Sequence, residues 1–131
     1  TLRFKNLTTG ETLDDAIPEM TANSAWANDD RTILYVKQHP ETLRWYRVYR
    51  HVLGADPADD ELVYEEADET FSVFVFKSKS KKYLMIGSTQ TLATEFRYLP
   101  ADDPTAEPQV VEPRLEAGRQ LGALVAELEQ R

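Results

Sequence analysis

Cysteine is absent from the 131 residues, which excludes disulfides, thiolate metal sites and cysteine nucleophiles. No apolar run approaches the roughly 20 residues needed to cross a bilayer as a helix. The opening Thr1-Leu2-Arg3-Phe4-Lys5 lacks the apolar segment of a secretory signal, so the expected location is cytoplasmic. Without such a signal, the Asn6-Leu7-Thr8 glycosylation sequon is expected to be inert. A start without methionine is expected of a fragment or trimmed chain. Positive charge is also scarce: 15 basic against 23 acidic residues give a formal charge of −8. Binding to nucleic-acid phosphates or an anionic membrane is therefore not expected, because both need basic clusters. Cationic peptides remain compatible with this balance.

Hydrophobic residues at 41% and aromatics at 10% suffice for a packed interior, and the length fits one domain. Most of the chain reads as strands between polar turns. Leu2–Leu7 is short and alternating, and Thr8-Thr9-Gly10-Glu11 is a turn. Residues 11–23 carry few apolar positions, and Pro18 is expected to stop any regular element there. Trp26 is expected to open a strand before the Asn28-Asp29-Asp30-Arg31 turn. Ile33-Leu34-Tyr35-Val36 is a continuous apolar run, expected of a strand buried on both faces. Trp45–Val52 alternates strongly, putting Trp45, Arg47, Tyr49 and His51 on one face and Tyr46, Val48, Arg50 and Val52 on the other. Glu61–Glu65, Phe71–Phe76, Tyr83–Ile86, Thr94–Leu99 and Gln109–Pro113 complete the strand set, with turns at Gly54-Ala55-Asp56-Pro57, Ser78-Lys79-Ser80-Lys81 and Ala101-Asp102-Asp103-Pro104.

The two halves repeat. Ile33–Val36 falls over Tyr83–Ile86 at an offset of 50, Arg50–Leu53 over Arg97–Pro100 at 47, and Leu62–Tyr64 over Val110–Glu112 or one residue earlier, an offset near 48. Four strands recurring every 40 to 50 residues is the period of a β-propeller blade. The predicted fold is mainly β: about two four-stranded antiparallel blades, at roughly 24–66 and 71–113, within a partial propeller over 1–114. The first strand and its turn read as the tail of a preceding blade. Residues 115–131 differ: Leu121, Leu124, Val125 and Leu128 recur at helical spacing, predicting an amphipathic helix from about Arg119 to Gln130 in a C-terminal tail.

Candidate chemistry is sparse. His51 shares a face with Trp45 and Tyr49, and His39 sits in a turn beside Pro40; catalysis by either needs a nucleophile or carboxylate placed by the fold. No Gly-x-Ser-x-Gly elbow exists. Ser78 and Lys81 match Ser-x-x-Lys, but that spacing works on a helix and here falls between strands. The acids Asp56, Asp59, Asp60, Glu61, Glu65, Glu66, Asp68 and Glu69 lack the glycine turn and distal glutamate of a calcium loop and read as solvated turn acids. The many aromatics suit a sheet core better than a base-stacking platform, which needs a basic stripe.

Several segments in fixed order resemble a known family. They are Trp26-Ala27-Asn28-Asp29, Ile33-Leu34-Tyr35-Val36, Arg50-His51-Val52-Leu53-Gly54, Leu62-Val63-Tyr64-Glu65-Glu66, Asp68 with Phe71, Tyr83-Leu84-Met85-Ile86, Glu95-Phe96-Arg97 and Pro113-Arg114. Over about Leu2 to Arg114 the chain resembles the propeller of the oligopeptidase B (protease II) branch of the prolyl oligopeptidase family. That resemblance implies a seven-bladed propeller capping an α/β-hydrolase domain, admitting peptides but not large folded proteins to a serine that cleaves after Lys or Arg. It implies no catalytic, cofactor-binding or metal-binding residue in this stretch, and no cofactor. The expected partners are the hydrolase domain and the peptides passing through. A full propeller needs about five more blades than this chain holds, and the run from Leu115 does not resemble the family's continuation. Unpaired sheet edges, or the Leu121–Leu128 helix, are expected to drive self-association. A stand-alone β-rich interaction module is the alternative reading, and a small enzyme using the acidic turns a third.

Overall fold

The computed structural model describes residues 1–18 and 20–116. The predicted helix at 119–130 lies outside them. Ten strands run in chain order: β1 Leu2–Lys5, β2 Thr12–Ile17, β3 Met20–Trp26, β4 Thr32–Gln38, β5 Trp45–Val52, β6 Glu61–Glu65, β7 Ser72–Lys77, β8 Tyr83–Thr89, β9 Ala93–Pro100 and β10 Gln109–Glu116. They form a two-stranded hairpin β1-β2 and two four-stranded meanders, β3-β4-β5-β6 and β7-β8-β9-β10, all antiparallel. The mainly-β expectation therefore holds for the described residues, and β10 extends to Glu116.

Three sequence expectations need correction. Residues 11–23 are not irregular: β2 and β3 lie on either side of Pro18, which marks the joint between them. A proline that cannot donate to a ladder is tolerated where the ladder is already broken. Trp26 ends β3 rather than opening a strand. The third concerns the repeat offset. Ala27 N–H donates to the Thr32 carbonyl at 2.8 Å, and Ser78 N–H to the Tyr83 carbonyl at 2.9 Å, so the equivalent of Thr32 is Tyr83, an offset of 51. Likewise Leu53 N–H bonds Arg31 and Ala101 N–H bonds Lys82, an offset of 48 for that part of the repeat. Each is one residue from the sequence alignment. In a pleated strand a one-residue slip exchanges the two faces.

The corrected register explains the core. β4 is buried along most of its length because it is a central strand with neighbours on both faces. Leu34, Val36 and Val48 pack forward against Val73, Val75, Leu84, Ile86 and Leu99 of the second meander. Ile33 and Tyr35 pack backward against Phe4 and Ile17 of the hairpin. The second meander presents Phe74, Phe76, Met85, Phe96 and Tyr98 as its own forward face. A side chain at Gly87 would put Cβ 2.3 Å from Cζ of Phe74, so the bare backbone is what lets that ring lie across β8. Each Val or Leu taken fully from water in these layers stabilises by about 1.5–3 kcal/mol.

Polar side chains lock the two meanders at both inner and terminal positions. Asn23 of β3 accepts from Val75 N–H at 2.7 Å and donates to the Val75 carbonyl at 3.1 Å, pairing β7 as a strand would. Asn28 donates to the Lys81 carbonyl and to Asp102, and its own N–H donates to the Ala101 carbonyl. At the opposite end, Arg44 in the β4–β5 loop donates to the carbonyls of Glu66, Asp68 and Phe71, clamping the crossover from β6 to β7.

Candidate functional site

His51 is the strongest chemical candidate in the sequence, and alternation along β5 turns it to the face occupied by Tyr49. It is fully buried, stacked at 5.6 Å on Phe4. Its Nδ1 lies 2.7 Å from Oδ1 of Asp60 and its Nε2 2.7 Å from Oδ2 of Asp15. Asp15 comes from β2 and also accepts from Gly54 N–H at 2.8 Å; Asp60 accepts from the Tyr35 hydroxyl at 2.6 Å. A neutral imidazole has one N–H and one lone pair, so two carboxylate neighbours are both satisfied only by the imidazolium. Burial opposes that charge, but the bonds to Asp60 and Asp15 outweigh it and raise the His51 pKa. Burial likewise works against the Asp15 carboxylate, yet the Gly54 N–H and His51 hold its pKa below the usual value. Tyr35 is pushed up by burial and by donating to Asp60.

With both ring nitrogens committed and no solvent access, His51 cannot take a proton from a substrate. It is a staple between the hairpin and the first meander. Asp60 is thereby corrected from a solvated turn acid to a buried ion-pair partner. Glu66 is corrected likewise: it is 1% exposed, accepts from the Tyr64 hydroxyl, and lies 3.4 Å from Oγ of Ser88 in the next meander. Burial and the bond to Glu66 raise the Tyr64 pKa, and the Arg97 guanidinium sits 4.2 Å from the Tyr64 ring centre. Both meander seams thus carry a buried polar cluster.

The remaining candidates are turn components. Lys81 has φ +63° and its N–H donates to the Ser78 carbonyl, while Oγ of Ser78 accepts from Tyr83 N–H; the Ser-x-x-Lys match is a hairpin turn. Nδ1 of His39 accepts from Glu41 N–H and Thr42 N–H within its loop. Asp56 caps the 3-10 turn Pro57–Asp59 by accepting from Ala58 N–H. Glu61 pairs with Arg50 and Glu65 with Arg47. Among the described residues no group of three or more His, Asp or Glu side chains is arranged to hold a metal ion, the His51 cluster included.

Two grooves follow the seams. One of about 290 Å³ is bordered by Arg50, Glu61, Tyr64, Arg97, Ala106 and Pro108; Arg50 spans it, bonding Glu61 and the Ala106 carbonyl. The other, about 840 Å³, separates the hairpin from the first meander and is bordered by Leu2, Phe4, Leu13, Trp26 and Ile33. Asp15, Asn23 and Arg44 were not singled out in the sequence. Asp15 did leave a signal: Leu13, Asp15 and Ile17 share one strand face, and a lone carboxylate on an apolar face demands a buried partner.

Comparison with known proteins matches residues 1–123 to the family described as the prolyl oligopeptidase N-terminal β-propeller domain. Dipeptidyl aminopeptidase BI of Pseudoxanthomonas mexicana is 43% identical over 104 residues, covering 79% of this chain and 14% of that protein. Protease 2 of Moraxella lacunata is 34% identical over 118 residues, covering 87% of this chain and 17% of its own length. Among solved structures, oligopeptidase B from Leishmania major superposes with a TM-score of 0.78 at 30% identity, over 86% of this chain and 16% of that one. The chain thus spans about a sixth of the length of these relatives.

Proposed function

The chain belongs to the prolyl oligopeptidase family, within its N-terminal β-propeller domain, and we propose that it is a non-catalytic segment of the propeller wall that restricts access to a hydrolase domain elsewhere in a full-length cytoplasmic peptidase. The substrates are peptides cleaved after Lys or Arg. One observation carries the non-catalytic role: the only buried histidine has both ring nitrogens bound to carboxylates. A filter needs rigid seams, and here the seams are stapled by His51, Asn23, Arg44 and Glu66. The apolar groove beside the hairpin fits the place of the inner strands of a preceding blade. In isolation, the forward face around Phe74, Phe76 and Tyr98 and the unpaired edges make the chain self-associate.

Hydrolysis of a Lys- or Arg-containing fluorogenic peptide tests the reading. The purified chain is expected to leave it intact, and the full-length enzyme to cleave it while sparing the same sequence inside a folded protein. Turnover by the isolated chain would overturn the non-catalytic role. Equal cleavage of peptide and folded protein by the full-length enzyme would overturn the filter.

A further inference from the structure

The β1-β2 hairpin is a separate two-stranded sheet, so no backbone ladder crosses the seam between it and the first meander. Two kinds of contact hold it there. Phe4 and Ile17 pack on Ile33 and Tyr35, and one carboxylate, Asp15, reaches Nε2 of His51 and the N–H of Gly54. The seam between the two meanders is joined differently. Asn23 pairs with Val75, Asn28 with Lys81, Ala101 and Asp102, and Arg50 with the Ala106 carbonyl. None of the groups in those bonds titrates near neutrality.

His51 does titrate there, and its ionisable neighbours come from three elements. β2 presents Asp15, the segment before β6 presents Asp60, and β4 presents Tyr35, whose hydroxyl donates to Asp60. β1 presents only the Phe4 ring, and Tyr49 of β5 stacks on Tyr35 with Lys37 over its other side chain face. Tyr35 keeps its proton, because burial and Asp60 push its pKa up. The imidazolium satisfies both carboxylates. Once it loses a proton, one of them faces a ring lone pair in a site closed to water. Asp15 is the one that yields. Asp60 is anchored by Tyr35 and by its own N–H, which donates to the Pro57 carbonyl at 3.2 Å just before β6 begins. Asp15 rides on a hairpin that no ladder retains.

We propose, on the wall reading above, that the hairpin seam is a proton-operated clasp. It is closed while the His51 imidazolium bridges Asp15 and Asp60 and opens when that proton leaves, with the seam between the meanders unmoved. The direction follows from linkage. In the closed seam His51 holds its proton above the unfolded value of 6.5, so the clasp is at full strength below 6.5. Above it, the clasp weakens by about tenfold per pH unit until pH passes the closed-state pKa. Asp15, whose pKa is held below 3.8, sets the acid limit. The loosening is therefore confined to one seam of the wall.

Hydrogen exchange of the full-length enzyme, resolved to single amides and corrected for intrinsic exchange, tests it. The Gly54 N–H, held by Asp15, reports the clasp, and the Val75 N–H, held by Asn23, reports the other seam. From pH 6.5 upward, Gly54 protection is expected to fall about tenfold per pH unit and then level off, with Val75 unchanged. D60N leaves the imidazole one carboxylate and is expected to bring the levelling to lower pH. H51Q, neutral throughout, is expected to leave Gly54 unprotected at every pH. Constant Gly54 protection, a parallel loss at Val75, or a D60N profile identical to wild type would each overturn the clasp, and the first two are read on the wild type alone. Peptide-versus-protein selectivity is read on the same preparation. Retained selectivity with constant Gly54 protection removes only the clasp, whereas absent selectivity with pH-dependent Gly54 protection removes the filter and leaves the clasp.

Discussion

Replacing His51 with leucine keeps most of the side-chain volume and the contact with Phe4 but removes the cation between Asp15 and Asp60. Asp15 retains the Gly54 N–H and Asp60 the Tyr35 hydroxyl, yet two buried carboxylates then face each other without a counter-charge. Removing one partner of a buried ion pair costs about 3–5 kcal/mol. With a urea dependence of about 1–3 kcal/mol per molar, the unfolding midpoint of H51L falls by about 2 M. The deficit depends on pH in a defined way. His51 has a folded pKa above its unfolded value of 6.5, so its contribution is complete below 6.5 and is lost as pH rises through the folded value. Asp15 has a folded pKa below 3.8, so its contribution is complete above 3.8 and is lost as pH falls through the folded value. The gap between wild type and H51L is therefore widest between those two reference values and narrows on either side. Urea titrations at acid, mildly acid and alkaline pH measure it. A gap that is constant with pH, or a midpoint shift below about 0.5 M, would refute the imidazolium staple.

Two further outcomes follow from the seams. N23A leaves both backbone groups of the buried Val75 unpaired and is expected to cost about 2 kcal/mol by the same urea titration; a loss below about 0.5 kcal/mol would show that water replaces the side chain. Size-exclusion chromatography with light scattering is expected to show the isolated chain as larger than a monomer at high concentration, and a clean monomer would defeat the self-association expected from its forward face and edges.

Strand identity was largely legible because local pattern decides it. The alternation of Trp45–Val52 and the apolar run at Ile33–Val36 reflect half-buried and doubly buried strands, and β5 and β4 sit at those positions. β2 was illegible because its partners are distant. Thr12–Ile17 has few apolar residues, and Asp15 is tolerated on its inward face only because His51, 36 positions away, supplies the charge. Asp60 and Glu66 misled for the same reason. Composition says that a turn acid is solvated, and only the approach of Tyr35, His51, Tyr64 and Ser88 removes the water.

The sequence by itself determined the absence of thiol chemistry, the β class, the four-strand period and the family resemblance, since these depend on residue type and short-range order. Tertiary structure alone decided the register of the repeat, because offsets of 50 and 51 look alike in sequence but put opposite faces of a pleated strand inward. It also decided that a histidine and two aspartates from separate elements share one buried charge. No local pattern encodes that, because the energy comes from bringing them together where water is excluded.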